Sequence, residues 1–229
     1  MTLIEKLLAN NVNPWGGFQD SPGKKNDNPN LFLVTALWEI HLAGEDVKQG
    51  LVEWDKYMAA TYKGKGRFVR FPDRYMLSSH DEHTGMAAGC LLYRKVHGKP
   101  SRWAPKLLSL GKRAWNYSSA KEAMPPWNLL KGQLKPNDVA FIKLCCGVKS
   151  GPIGRRSILL NAQKSDSYNL HRLRGVCIQA MNTKDKVLAQ ALLTLKNKTH
   201  YVKAITKYYG PTSIITEAAT LNNACWRRV

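Results

Sequence analysis

The chain has no apolar run of the roughly 18–20 residues that a membrane-spanning helix needs. It also has no C-x-x-C pair. Its five cysteines, Cys90, Cys145, Cys146, Cys177 and Cys225, are an odd set without zinc-ligand spacing. That argues against a secreted disulfide framework and against a zinc finger. Such thiols are expected to be free and buried, packing as small hydrophobes. No Walker loop, Rossmann glycine pattern or G-x-S-x-G elbow occurs, so nucleotide binding and serine hydrolysis have no motif to stand on. No cofactor is expected. The opening MTLIEKLLANN has acid and amide residues where a signal peptide has a basic start and an apolar core, and the expectation is a protein made and kept in a cytoplasm.

Negative charge is scarce in one half. Residues 101–229 hold 5 Asp/Glu against 22 Lys/Arg, whereas residues 1–100 hold 11 against 13. Nearly all of the net charge of +19 therefore belongs to the second half. A charge division of this kind suits a surface for a polyanion: nucleic acid, an acidic glycan or an anionic membrane face. At 229 residues, with 44% hydrophobic and 22% charged content, the chain is otherwise an ordinary globular sequence able to bury a core.

Helical signals dominate what is present. A short helix is expected near residues 2–10, then a loop over 13–28 (NPWGGFQDSPGKKNDN), rich in turn formers. Pro29 suits a first helical position, with Asn28 as the cap before LFLVTALWEIHLA and Gly44 as the stop. Val47, Leu51, Trp54 and Met58 recur at helical spacing, so a second helix is read over 45–62, with Glu45 and Asp46 in its first turn. A short join makes these two helices antiparallel neighbours. A third helix is read from Ser79 to about His97. Further helices are expected near 137–146, 155–163, 167–181, 184–197 and 200–208, with Asn137 or Asp138, Asp166 and Thr183 as caps. No convincing strand-period segment stands out. Residues 63–77 (KGKGRFVRFPDRYML) form a basic, aromatic-bearing excursion, either a long loop or a small hairpin.

The fold class expected is mainly α, an array of antiparallel helical hairpins. Its parts are a helical half over 1–98, an irregular connector over 99–135 and a basic helical half over 136–229, packed as one domain.

The densest functional signal is SSHDEHTGMAAG at 78–89, with two histidines and two acids in four consecutive positions. Ser79-x-x-Glu82 is a capping box, which accounts for those two residues structurally. His80, Asp81 and His83 are left over. If 29–43 runs up and 46–62 down, the third helix runs up again, and its start shares one rim with Asp27 and Asn28. Carboxylates from separate helix starts at one rim suit hydrolytic acid–base chemistry, which needs one protonated and one ionised acid. Asp27, His80, Asp81 and His83 are therefore the candidate catalytic set, with Asp27 and Asp81 as bases. The protonated partner is harder to name, since Glu39 lies over two turns from the rim. A metal set of His80, His83 and Asp27 or His41 is the rival reading. H-x-x-H without the i, i+4 pair and intervening Glu of zinc peptidases does not support it, so no metal is expected. Phe68, Arg70 and Arg74 mix rings with cations, as a ligand-stacking surface does, and Arg155-Arg156 is a cation pair for phosphate or sulfate. The competing reading of 68–75 is a half-buried hairpin with Pro72 at its edge or turn.

At these residues the sequence resembles a group of uncharacterised tailed-bacteriophage proteins. The shared features are Asp27-Asn28 before an apolar helix, Phe68-Val69-Arg70, and Ser79-His80-Asp81-x-x-x-Gly85. Asp138-x-x-Phe141-x-Lys143 and Tyr209-Gly210-Pro211 complete the set. The resemblance implies phage origin, with the host cytoplasm or the virion as location and other virion proteins as possible partners. Alternating helices with acids at one rim are also similar to the (α/α) toroids of glycan hydrolases and lyases, although this chain is too short for a full ring. The function expected is thus a phage accessory or virion-associated protein that binds a polyanion, DNA or acidic glycan, through its basic half. The alternative is a glycan hydrolase or lyase acting at the rim.

Overall fold

The computed structural model describes residues 1–64, 66, 68–77, 80–109, 136–148, 173, 176–177, 181, 210 and 212–226. Within them the chain is mainly helical. Its elements are α1 (Leu3–Asn10), β1 (Gln19–Ser21), β2 (Lys24–Lys25), α2 (Pro29–Leu42), α3 (Lys48–Thr61), β3 (Val69–Phe71), β4 (Arg74–Leu77), α4 (His80–His97), α5 (Pro136–Cys145) and α6 (Ile214–Trp226). A further helical stretch covers 104–109. The expected helices at 155–163, 184–197 and 200–208 lie outside the described residues. Leu173, Val176 and Cys177 are helical, inside the range expected over 167–181.

α2 is the axis of the described elements. Every residue from Pro29 to Ile40 is buried, because α1, α3, α4 and α6 all pack on it. α3 runs antiparallel to it: Gly50 faces Leu37, and the Trp54 indole N–H reaches Asn30. α4 runs parallel to it, with Asn30 beside Glu82 and the Trp38 indole donating to the Ala88 carbonyl at 3.1 Å. The up–down–up course read from the sequence is the course observed. Phe141, Ile142 and Cys145 of α5 and Ile215, Ala218 and Ala219 of α6 join the same core. Cys90, Cys145 and Cys177 are buried and Cys146 half-buried, all as free thiols.

Two hairpins depart from the sequence reading. β1 and β2 pair antiparallel inside the stretch expected to be an irregular loop. The turn between them is Pro22-Gly23, where Pro presets φ and Gly23 takes φ +78°. β3 and β4 pair antiparallel with Phe71 opposite Arg74, so Pro72 and Asp73 form the turn and the hairpin reading of 63–77 is the observed one. Strands this short carry too few alternating residues to register as a period. Lys25 joins the hairpins, 2.9 Å from Asp73 and over the Phe71 ring.

Three helix starts also differ. α3 begins at Lys48, so Glu45 and Asp46 precede it: Asp46 accepts the Lys48 N–H at 2.9 Å, and Glu45 turns away to α1. α5 begins at Pro136, which places Asn137 and Asp138 in its first turn rather than at its cap. α6 was not expected at all. Its apolar stripe of Ile214, Ile215, Ala218 and Ala219 was readable, with Ser213 Oγ accepting the Ile215 N–H at its start. No helix of the described residues is long and apolar enough to cross a membrane.

α2 and α4 approach closely because α4 offers glycine where they cross. A Cβ on Gly85 would stand 2.6 Å from Asn30 Nδ2 and 2.8 Å from Leu31 Cα, and one on Gly89 would stand 2.5 Å from the Trp54 ring. Gly85→Ala is expected to cost about 1–3 kcal/mol through overpacking. This should appear even though alanine is favoured over glycine within a helix by about 1 kcal/mol. Urea unfolding of the variant measures it, and a neutral or stabilised result would contradict so close a crossing.

Candidate functional site

The first turn of a helix exposes N–H groups without intrahelical partners, and a buried start must find acceptors elsewhere. α2 starts buried, and the Asn28 side chain, the cap expected from sequence, makes no capping hydrogen bond. The acceptor comes from α4. Glu82 Oε2 takes the Asn30 N–H at 3.2 Å, and the Asn30 amide returns a bond to the Glu82 carbonyl at 2.9 Å. From α3, the Trp54 indole donates to Asn30 Oδ1 at 3.0 Å. The Tyr57 hydroxyl lies 3.0 Å from Glu82 Oε2 and 3.3 Å from the Arg70 carbonyl of β3. One buried polar network thus ties three helices and a hairpin at one end of the bundle.

Burial disfavours a carboxylate. Removal from water pushes the Glu82 carboxyl up to about 8, against the opposing pull of the Tyr57 hydroxyl, the Arg70 guanidinium and the Asn30 and Leu31 amides. The same burial, with Glu82 beside it, raises the Tyr57 phenol. Glu82 thus holds its proton toward neutral pH inside the network. Ser79, its partner in the capping box expected from sequence, lies outside the described residues.

The expected catalytic set starts from one end of the bundle, and among its described side chains only that of Asp27 lines the described cleft. Asp27 is exposed and lines a cleft of about 740 Å³ between the β1–β2 hairpin and the starts of α2 and α6. Asp20, Lys24, Asn26, Thr212 and Ser213 share that cleft. Asn26 pins its rim, donating to Asp20 at 2.6 Å and accepting the Asn28 N–H at 2.8 Å. Asp81 is half-buried and His83 buried, and neither is among the described residues of the cleft wall. His83 turns inward, its ring edge-on to Phe68 at 6.3 Å. The side chain of His80 lies outside the described residues. Consecutive residues on a helix point about 100° apart, so a four-residue run cannot present all its side chains to one cleft.

Phe68, the ring of the expected ligand-stacking set, is placed differently. Phe68 is only 2% exposed and packs against Tyr62, Trp103 and His83, so its ring belongs to the core. Arg70 is half-buried and placed toward Glu82 and Tyr57. The side chain of Arg74 and all of Arg155 and Arg156 lie outside the described residues. No group of three or more His, Cys, Asp or Glu side chains among the described residues is arranged to hold a metal.

The chain matches no protein-family model, no curated protein and no solved structure. Its own residues carry the functional reading.

The Glu82 network makes stability pH-dependent. An unfolded glutamate ionises near 4.5, whereas folded Glu82 holds its proton to about 8. Its contribution is complete below pH 4.5 and is lost as pH rises toward 8, at no more than about 1.4 kcal/mol per pH unit. Glu82→Gln, which cannot ionise, should gain stability relative to the native chain as pH is raised from 5 to 8. Parallel melting curves across that range give the difference. Curves that stay a constant distance apart would show that Glu82 ionises normally.

Proposed function

We propose that this protein is a bacteriophage accessory or virion-associated protein that binds a polyanion, nucleic acid or acidic glycan, through the basic half of its chain. The observation that carries the reading is the surplus of cations over available acids. The chain has 16 Asp/Glu for 35 Lys/Arg, so internal pairing leaves 19 positive charges over.

Several acids have partners within the fold. Glu45 accepts the Leu3 and Ile4 amides at 3.0 Å each, Glu82 the Asn30 amide, and Asp55 the Arg102 guanidinium. Glu217, one of five acids in the second half, pairs at 2.6 Å with Lys6 of the first. The field of residues 101–229 is positive by composition, with 22 Lys/Arg against 5 Asp/Glu, and such a field draws a polyanion. The phage assignment, with the host cytoplasm or virion as location, draws on the short motifs, of which Asp27-Asn28 and Asp81-x-x-x-Gly85 lie at the same end of the bundle.

A glycan hydrolase or lyase is the second reading, favoured by a protonated carboxyl and an acid-bearing cleft at one end of the helices. A toroid-like continuation of the helical hairpins belongs to it. It is weaker because Glu82 is enclosed and Asp81 stands apart from the cleft. Asp27→Asn and Asp81→Ala separate the two readings: both should leave polyanion binding intact and abolish any glycan cleavage.

Binding should be electrostatic and blind to sequence. If about six cations touch phosphates, affinity for a DNA duplex should fall roughly a thousandfold between 50 and 200 mM salt. Titrations at the two concentrations measure this. Affinity for DNA that does not change with salt would overturn the polyanion reading.

A further inference from the structure

Between Glu82 and Glu122 the sequence contains no acid, yet it contains eight Lys/Arg. Its described cations run from the last turn of α4, through the turn at Gly98, into the helix over 104–109. Ser101 and Trp103 are buried there, while Lys95, Lys99 and Arg102 are exposed and Lys106 is half-buried. Ser101, Trp103, Ala104 and Leu107 anchor the segment among these cations.

One of these cations is held in place. The Lys106 ammonium sits 4.4 Å from the centre of the Tyr62 ring and 4.3 Å from that of Trp103. Asp55 fixes Trp103 by accepting its indole N–H at 2.7 Å, and it accepts the Arg102 Nε at 3.0 Å as well. Arg102 in turn lies 4.7 Å from the Trp103 ring. Among the described residues none of Lys95, Lys99 and Lys106 is in an ion pair. An ammonium seated against ring faces loses side-chain freedom but keeps N–H donors for an outside oxygen.

Resting on the polyanion reading above, we infer that Lys95–Lys106 is an edge that contacts the phosphate backbone of a nucleic acid, with Lys106 as its prepositioned cation. A nucleic acid suits it better than a glycan because the duplex carries about one charge per 1.7 Å and meets closely spaced cations most fully. No base-reading side chain is needed, since phosphate contacts position without specifying.

The test uses the full chain, a 30-base-pair duplex and hyaluronate, each titrated from 50 to 200 mM salt. The native chain should bind the duplex with a steep salt slope. Lys99→Gln with Lys106→Gln should lower that slope by about 1.8, the release expected for two phosphate contacts. Lys95→Gln with Lys99→Gln leaves the ring contacts of Lys106 intact and should lower it by the same amount, which separates lost contacts from a loosened Trp103. A steep native slope that both double variants retain would overturn this edge while leaving the polyanion reading in place. Binding of hyaluronate without the duplex would overturn the choice of nucleic acid. Failure of the native chain to bind either polymer at 50 mM salt would overturn both this inference and the function it rests on.

Discussion

The first turn of α2 is buried, and its amide groups need acceptors that water cannot supply. Glu82 meets that need from α4, and much of the surrounding structure follows from it. The carboxylate reaches Asn30 only because Gly85, one turn further along α4, carries no side chain to hold the two backbones apart. Once the helices meet there, Asn30 becomes an acceptor for Trp54, and Glu82 a partner for Tyr57. α3 is fastened in this way, and the Tyr57 hydroxyl adds the hairpin through the Arg70 carbonyl. A buried network of this type is costly when partly satisfied and specific when complete. Holding a proton to about pH 8 is the price of placing a carboxyl there.

The same device recurs at α1, where Glu45 accepts two N-terminal amides from a helix over forty residues away in sequence. Acids supplied from other elements fit helix starts well, because the amides and the helix dipole both favour negative charge. The net charge of +19 follows from composition, 16 Asp/Glu against 35 Lys/Arg, and not from this device.

The rim at the start of α2 and α4 was legible as a place but not as a constellation. Helix direction follows from boundaries and short joins, so the shared end of Asp27 and Asp81 could be read from caps, stops and periodicity. Which side chains face which space depends on how α4 is rotated about its axis, and that is set by the glycine-mediated crossing with α2. Rotation sent Glu82 inward to Asn30 and Tyr57, turned His83 toward Phe68 and left Asp81 half-exposed away from the cleft. The spacing of Glu82 from Ser79 has a sufficient local explanation in a capping box, which hides its long-range role. Phe68 looked like a surface ring because the partners that bury it, Tyr62 and Trp103, are supplied by segments on either side of the hairpin.

By itself the sequence determined the helical class, the courses of α1 to α4, the break at Gly44, the free state of the described cysteines and the division of charge. These depend on local chemistry: capping groups, positive-φ glycines, apolar periodicity and composition. Only the tertiary structure decided that Glu82 would start another helix, that Pro22-Gly23 would close a hairpin, and that α6 would complete the core despite beginning with β-branched residues. The first and last of those outcomes join residues far apart in the chain, whose burial and hydrogen bonds outweigh local preference once they meet, and the hairpin pairs strands too short to show a period.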